Sequence, residues 1–369
     1  MAREKKVKGE QVEKPEKMDA FTSIHAILNQ GTTHFGIISD FEDTDNIRNE
    51  KVSTGSINFD SVLEGGFPAG GIALVYGDEE SGKTAMGLNW ARNWQDKFKE
   101  QAMVVYFDAE GRLTEYKIKQ SGIDTSTNRF LWVRTNRGDD IYKKIDELVA
   151  WGRKNKIRFF FVVDSTDALM RTSDLDKGFD EAEKIAGGAL LASVSGKRLS
   201  LPIHSLGHFL YLISQKRMTN IRMGSSGASG GKASKFYADL TVEIAKPWTE
   251  TMLPKGAKDK DILGHLCRLT LKKTGNETTG TVVDIPIKRK KKGGIWSEYE
   301  TFQLLTEYSF VEKAGSWLNF APHFQEILVE GGFEDVAPIK LQGSNQFVEF
   351  LEGNSELNSF IRKSIIAMT

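Results

Sequence analysis

The sequence predicts an α/β fold with a mostly parallel central sheet, and three observations predict it. Apolar strand-length runs alternate with helical stretches from Val52 onward, the pattern of βαβ crossovers. Phe159–Val163 and Phe209–Ile213 are apolar at every position, as strands buried on both faces require. Between one strand and one helix lies Gly77-Asp78-Glu79-Glu80-Ser81-Gly82-Lys83-Thr84, which fits G-x-x-x-x-G-K-[ST].

Taken in order, residues 1–18 are rich in Lys and Glu and predict a mobile tail. Asp19–Gln30 predicts a short helix, with Asp19 as its cap and Phe21, Ile24, Ile27 and Leu28 at helical spacing. Phe35–Ile38 predicts an isolated apolar strand, and the acidic stretch from Asp40 to Glu50 a linker. Ile72–Tyr76 is a strand candidate. Lys83–Phe98 is a helix, since Met86, Trp90 and Trp94 recur every fourth residue. Met103–Phe107, Phe159–Val163 and Phe209–Ile213 are further strands, alternating with helices at Ile141–Trp151 and Ala186–Val194. Asp239–Ile244, Leu266–Leu271 and Gly280–Ile287 lack long intervening helices and are expected to extend the sheet antiparallel. After the basic run Lys288–Lys292 the composition shifts to a smaller, helix-rich end.

The 369 residues suggest two or three domains at roughly 150 residues each. Lys+Arg and Asp+Glu are both 50. That balance excludes a chain coated in cations but leaves room for a local basic groove. The single cysteine, Cys267, excludes an intrachain disulfide and a multi-cysteine zinc site and points to a reducing compartment. No apolar run approaches the roughly 20 residues that span a bilayer, and no apolar segment follows the charged start. A cytoplasmic location and no membrane partner are expected.

The chemistry begins at the glycine-bearing segment. Gly77 and Gly82 permit a tight turn whose N–H groups point inward at phosphate oxygens, and the following helix adds its positive end. Lys83 supplies a point charge for β- and γ-phosphates, and Thr84 a hydroxyl for Mg²⁺. Asp78, Glu79 and Glu80 would repel a triphosphate and are expected to point outward. Asp164, at the end of a buried strand, is placed for a Mg²⁺ role. Glu110 and Asp108 both lie where a carboxylate can activate water, and pattern alone does not separate them.

Ser53–Asp60, the phosphate loop, Phe107–Glu110, Val162–Ser165, Ser214–Met218, Gly230–Tyr237 and Val311–Trp317 together resemble RecA-type recombinases, in that family's order, across roughly residues 20–320. The divergence resembles a bacteriophage-encoded member more than a housekeeping bacterial one. The resemblance implies a RecA-like P-loop NTPase core at 51–293, an N-terminal polymerisation segment at 1–50 and a small C-terminal α/β domain at 294–369. It implies ATP and Mg²⁺ as cofactors, single- and double-stranded DNA as partners, helical self-assembly through the Phe35–Ile38 strand, and candidate loading or single-strand-binding proteins.

It also implies residue roles. Glu110 becomes the water-activating group and Gln215 the γ-phosphate sensor. Lys216 to Gly231 becomes a DNA loop in which Lys216, Arg217 and Arg222 meet phosphates, Met218 or Ile221 wedges between bases, and Gly230 and Gly231 give flexibility. A second DNA loop falls at Asp176–Lys184, though its acidity is awkward, and Lys197 and Arg198 fit a solvated helix face better than DNA. Lys235 and Phe236 lie at a subunit interface, across which Lys273 reaches the γ-phosphate. The second lysine position is Gly275, a departure: either Lys272 substitutes for it or hydrolysis is less tightly coupled to assembly. Tyr116 is one residue away from the family's adenine-stacking tyrosine. Lys288–Lys292 is either a solvated loop or a guide for duplex DNA. The reading is a DNA-stimulated ATPase that pairs and exchanges strands. The rivals are a ring-forming ATPase or helicase on the same core, and a nucleotide-gated filament scaffold.

Overall fold

The computed structural model describes residues 50–126, 129–175, 187–220, 225–228, 231–245, 251–252, 263–288 and 294–368. Expectations for residues 1–18, Asp19–Gln30, Phe35–Ile38, Asp176–Lys184, Ile221, Arg222, Gly230 and 289–292 fall outside them.

The chain opens with β1 (Lys51–Val52), α1 (Ile57–Val62) and β2 (Phe67–Pro68). Then β3 (Gly71–Gly77) leads through the phosphate loop into α2 (Lys83–Phe98) and β4 (Ala102–Asp108). Next come α3 (Glu115–Ser121), β5 (Phe130–Arg134), α4 (Gly138–Asn155) and β6 (Arg158–Asp164). The short α5 (Thr172–Leu175), α6 (Gly187–Ser205), β7 (Phe209–Asn220), β8 (Ser225–Ala228), α7 (Gly231–Tyr237) and β9 (Leu240–Ala245) follow. The sheet finishes with β10 (Thr251–Met252), β11 (Gly264–Lys273), β12 (Val282–Lys288) and β13 (Gly294–Ile295).

The sheet order is β13-β12-β11-β9-β3-β7-β6-β4-β5, with β10 on β11 and β8 on β7. From β9 to β5 every pairing is parallel. β11, β12 and β13 continue it antiparallel. The expectation that Asp239–Ile244 runs antiparallel is therefore corrected: β9 lies parallel to β3. A parallel return needs a crossover, and β8 with the seven-residue α7 provides it. That helix packs hard on α6, where a Cβ at Gly196 would lie 2.1 Å from the Tyr237 ring.

Alternation along the strands sorts side chains onto two faces. Phe160 and Val162 join Trp90 and Trp94 of α2, together with Phe67 and Tyr211. Phe159, Phe161 and Val163 face Ile145 of α4 and Leu199 of α6 on the other side. Trp90 stacks on Phe67 with centroids 4.6 Å apart. Fully burying a side chain of this size contributes roughly 1.5–3 kcal/mol, so the every-fourth-residue stripe on α2 fixes that helix, and with it the phosphate loop, against the sheet.

Two further segments differ from their sequence-based expectation. The helix expected to end at Val194 runs to Ser205, through Pro202. The segment from Lys216 is not a featureless loop at its start: β7 continues to Asn220 and pairs antiparallel with β8, Arg217 opposite Gly227.

The C-terminal region comprises α8 (Ser297–Glu307), β14 (Val311–Ala314), β15 (Trp317–Phe320), α9 (Pro322–Glu330), β16 (Lys340–Gln342), α10 (Gly343–Gly353) and α11 (Ser355–Met368). A three-stranded antiparallel sheet, β14-β15-β16, shares a core with these helices through Leu305, Phe320, Phe324, Phe347 and Ile361, and Ile57 of α1 joins it.

Candidate active site

Parallel register brings the ends of four strands to one edge of the sheet. Gly77 at the end of β3 lies opposite Gln215 of β7, and Asp108 at the end of β4 lies opposite Asp164 of β6. Carboxyl ends of parallel strands are where open α/β sheets bind ligands. A cavity of about 590 Å³ opens there, bordered by Lys83, Thr84, Glu110, Asp164 and Gln215.

The phosphate loop has the backbone its motif requires. A Cβ at Gly77 would sit 2.1 Å from the Ile244 carbonyl oxygen, and Gly82 has φ +102°, open to glycine. Lys83 Nζ donates to the carbonyls of Gly77 at 2.9 Å and Asp78 at 2.5 Å. Burial lowers the Lys83 pKa, opposed by Asp164, Asp78 and other nearby carboxylates. Asp78, Glu79 and Glu80 are exposed.

Three carboxylates meet at the sheet edge in different surroundings. Asp164 Oδ2 accepts from Thr84 Oγ1 at 2.8 Å and from the Tyr106 hydroxyl at 2.5 Å. Burial raises its pKa against those two hydrogen bonds. Asp108 is 2% exposed at its side chain, with Arg134 Nε at 3.8 Å, and accepts from the N–H groups of Arg112 and Leu113 and from Trp132 Nε1. Glu110 retains 18% side-chain exposure, accepts from the Ser165 hydroxyl, and has Arg112 Nε 3.5 Å from Oε2. The Asp108 oxygens are occupied in holding the turn that carries Glu110. This favours Glu110 where the sequence pattern left the two open.

Thr84 and Asp164 offer one hydroxyl and one carboxylate side by side. Among the described residues no cluster of three or more His, Cys, Asp or Glu side chains could cage an ion. So small a donor set suits Mg²⁺, which keeps several waters and takes other ligands from substrate phosphates.

The remaining expected residues are spread more widely. The Gln215 N–H donates to Asp167 Oδ2 at 2.7 Å, and its neighbour Arg217 is exposed. Lys216 pairs with Glu243 at 2.8 Å, and Lys272 reaches the same carboxylate at 2.9 Å. Lys273 Nζ donates to the carbonyls of Lys235 and Phe236. Lys235 Nζ lies 5.7 Å from the Tyr76 ring centroid, and Phe236 is 74% exposed. Gly231 opens α7, and the Met218 backbone pairs with Ser226. Tyr116 is 65% exposed and does not border the cavity, whereas Lys117 and Gln120 of the same helix do. Lys288, expected in an exposed cationic run, instead ends β12, pairs with Glu352 and lies 5.2 Å from the Trp296 ring. Arg198 is exposed and pairs with Asp146.

Sequence reasoning missed Tyr106, Asp167 and Arg112, and left Ser165 without a role. Tyr106 carried a signal, being the only polar tip within the apolar run of β4. Arg112 carried none, because nothing in one sequence says which way a loop arginine turns.

A profile described as the RecA N-terminal domain matches residues 22–274. Three curated relatives, each called Protein RecA, align over most of the chain. That of Thermotoga petrophila is 28% identical, covering 86% of this chain and 82% of its own length. That of Malacoplasma penetrans is 24% identical, covering 88% and 90%. That of Mannheimia haemolytica is 27% identical, covering 99% and 92%.

Proposed function

The chain belongs to the RecA family, and on that premise we propose that it is an ATP-dependent DNA recombinase. It assembles as a helical filament on single-stranded DNA, tests pairing with duplex DNA and exchanges strands. ATP hydrolysis is stimulated by DNA. The observation that carries this reading is the convergence of Lys83, Thr84, Glu110, Asp164 and Gln215 on one cavity. Identities of 24–29% to bacterial relatives are in keeping with a phage-encoded member.

The phosphates of ATP lie on the loop amides, with Lys83 turning from the loop carbonyls to the β- and γ-oxygens. Thr84 and Asp164 would hold Mg²⁺, which when bound would withdraw charge from the phosphate oxygens. Glu110 orients a water and accepts its proton. Gln215 senses the γ-phosphate. It lies on β7, whose continuation carries Arg217 into the pairing with β8, so a shift at Gln215 is transmitted directly to a DNA-contacting hairpin. Nucleotide drives this change only by binding the two states unequally, by about 10⁴-fold for a nearly complete switch. Lys235, Phe236 and Lys273 face a neighbouring copy, and the Phe35–Ile38 segment joins the copies. Proteins that load the filament or bind single strands are its candidate partners.

Electron microscopy with single-stranded DNA and a non-hydrolysable ATP analogue tests this reading. Open helical filaments, lost in Lys83→Ala, are expected. Closed rings mean a ring ATPase, and filaments without strand exchange mean a scaffold.

A further inference from the structure

The three carboxylates at the sheet edge repel one another, and the cations around them are unevenly placed. Lys83 is within coulombic reach of Asp164, Asp78 and Glu110 without pairing directly with any of them, and Arg134 stands 3.8 Å from Asp108. Glu110 has one ion-pair partner among the described residues, Arg112. Arg112 Nε lies 3.5 Å from Glu110 Oε2, and its Nη1 lies 3.7 Å from Glu79 Oε1 on the phosphate loop. The side chain is 69% exposed. It borders both the large cavity and the shallower hollow lined by Asp167, Gln215 and Arg217.

The backbone beneath Arg112 is firmly held. Its N–H donates to Asp108 Oδ1 at 3.1 Å, and the Leu113 N–H donates to Asp108 Oδ2 at 3.2 Å. Asp108 thus ties the turn from which Glu110 and Arg112 both project. The Ser165 hydroxyl takes Glu110 Oε1. Arg112 stands beside the other oxygen, beyond direct hydrogen-bond range, so that Oε2 can still accept from a water.

We propose that Arg112 is the positioning residue of Glu110, an in-chain guanidinium that steadies the carboxylate between Ser165 and the cavity and offsets the repulsion of Asp108 and Asp164. This rests on Glu110 acting as the base. An exposed ion pair contributes little to folding, so fold stability gives little reason for an arginine here. The role also fits its second contact: tethered to Glu79, the guanidinium spans the phosphate loop and the carboxylate that would act on the γ-phosphate.

The test uses the full chain carrying Arg112→Ala or Arg112→Lys. Three quantities are read: kcat for DNA-stimulated ATP hydrolysis, affinity for a fluorescent ATP analogue, and the urea midpoint. In Arg112→Ala kcat should fall about 10-fold, the low end of the loss that follows removal of a group orienting a metal-ligating side chain. Nucleotide affinity and the urea midpoint should stay within about twofold and within error, respectively, because an exposed pair adds little to either. Arg112→Lys should recover part of the loss, and guanidinium ion added at low millimolar concentration to Arg112→Ala should restore turnover. An unchanged kcat, an affinity that falls in step with kcat, or the absence of rescue by both lysine and guanidinium would each overturn the proposal. Glu110→Gln run in parallel separates the failures: if it hydrolyses ATP normally, the assignment of the base falls, whatever Arg112 does.

Discussion

The Thr84 hydroxyl donates to Asp164 Oδ2 at 2.8 Å, tying the first turn of the helix after the phosphate loop to the end of β6. This contact brings the two proposed Mg²⁺ oxygens together, and it has a cost. Burial raises the Asp164 pKa, with Glu110 and Asp108 adding to the effect. The folded state therefore holds that proton to a higher pH than the unfolded chain does. The stability this gives is present below the unfolded value and is lost as pH rises through the folded one, so at neutral pH the ionised carboxylate opposes folding. Asp164→Asn should then stabilise the Mg²⁺-free protein by about 1 kcal/mol, as relief of active-site strain commonly does, while abolishing Mg²⁺-dependent hydrolysis. Urea unfolding without Mg²⁺ at neutral pH checks it; a lower midpoint in the variant would refute it.

Glu110 and Asp108 should separate cleanly. Glu110→Gln should retain ATP binding and assembly and lose about 10²- to 10⁴-fold in turnover, the usual contribution of a general base. Asp108→Asn should act through folding, because its oxygens accept two backbone N–H groups and Trp132 Nε1. Single-turnover hydrolysis beside thermal unfolding distinguishes the two effects.

His208 sets a pH limit on the fold. Phe159 N–H donates to His208 Nδ1 at 3.0 Å, and burial pushes the imidazole down to about 4. An unfolded histidine titrates near 6.5, so the unfolded chain binds a proton that the folded chain refuses. The associated stability is complete above pH ~6.5 and is lost as pH falls toward ~4, amounting to about 3 kcal/mol. Unfolding free energies measured across this window should fall less steeply in His208→Gln than in the parent.

How legible these features were depended on the range of the interactions behind them. The runs Phe159–Val163 and Phe209–Ile213 announced buried parallel strands because both faces need apolar side chains, and the Lys83–Phe98 stripe fixed a helix boundary to the residue. The phosphate loop was readable because its chemistry is local. The direction of β9 was not, since the crossover before it uses a helix of seven residues opening on Gly231-Lys232, below the length at which periodicity speaks. The pairing of Lys288 with Glu352 joins residues far apart in sequence, and no local pattern marks either end. The same holds at the candidate site, where the Asp164 pKa is raised by burial and by Glu110 and Asp108 at the end of β4, more than 50 residues away in sequence.

Arg217 offers a test of the proposed DNA-binding side. It is exposed on β7, two residues past Gln215, and borders a hollow with Glu110, Arg112 and Asp167. Arg217→Ala should weaken single-stranded DNA binding and reduce the slope of log K against log salt by about 0.7, one phosphate contact on a single strand. Lys216→Ala should change that slope less, because Lys216 is already paired with Glu243. Fluorescence anisotropy over a salt series measures both.

Arg362 and Glu300 predict how the C-terminal helices support the core. Glu300 is fully buried, and it accepts from the Ser56 hydroxyl and from the N–H groups of Ile57 and Asn58 at the start of α1. Arg362 of α11 neutralises it at 3.0 Å and donates to the Gly55 carbonyl at 2.8 Å. Asn93 of α2, the helix that begins at the phosphate loop, donates to the Ser53 carbonyl in the same turn. Arg362→Ala leaves a buried carboxylate without its cation and should cost about 3–5 kcal/mol. Pairing Arg362→Met with Glu300→Gln removes both charges and should cost less than the sum of the single changes, which a double-mutant cycle in urea would measure. Additive losses would mean that the two side chains act separately and that α11 merely packs against α1.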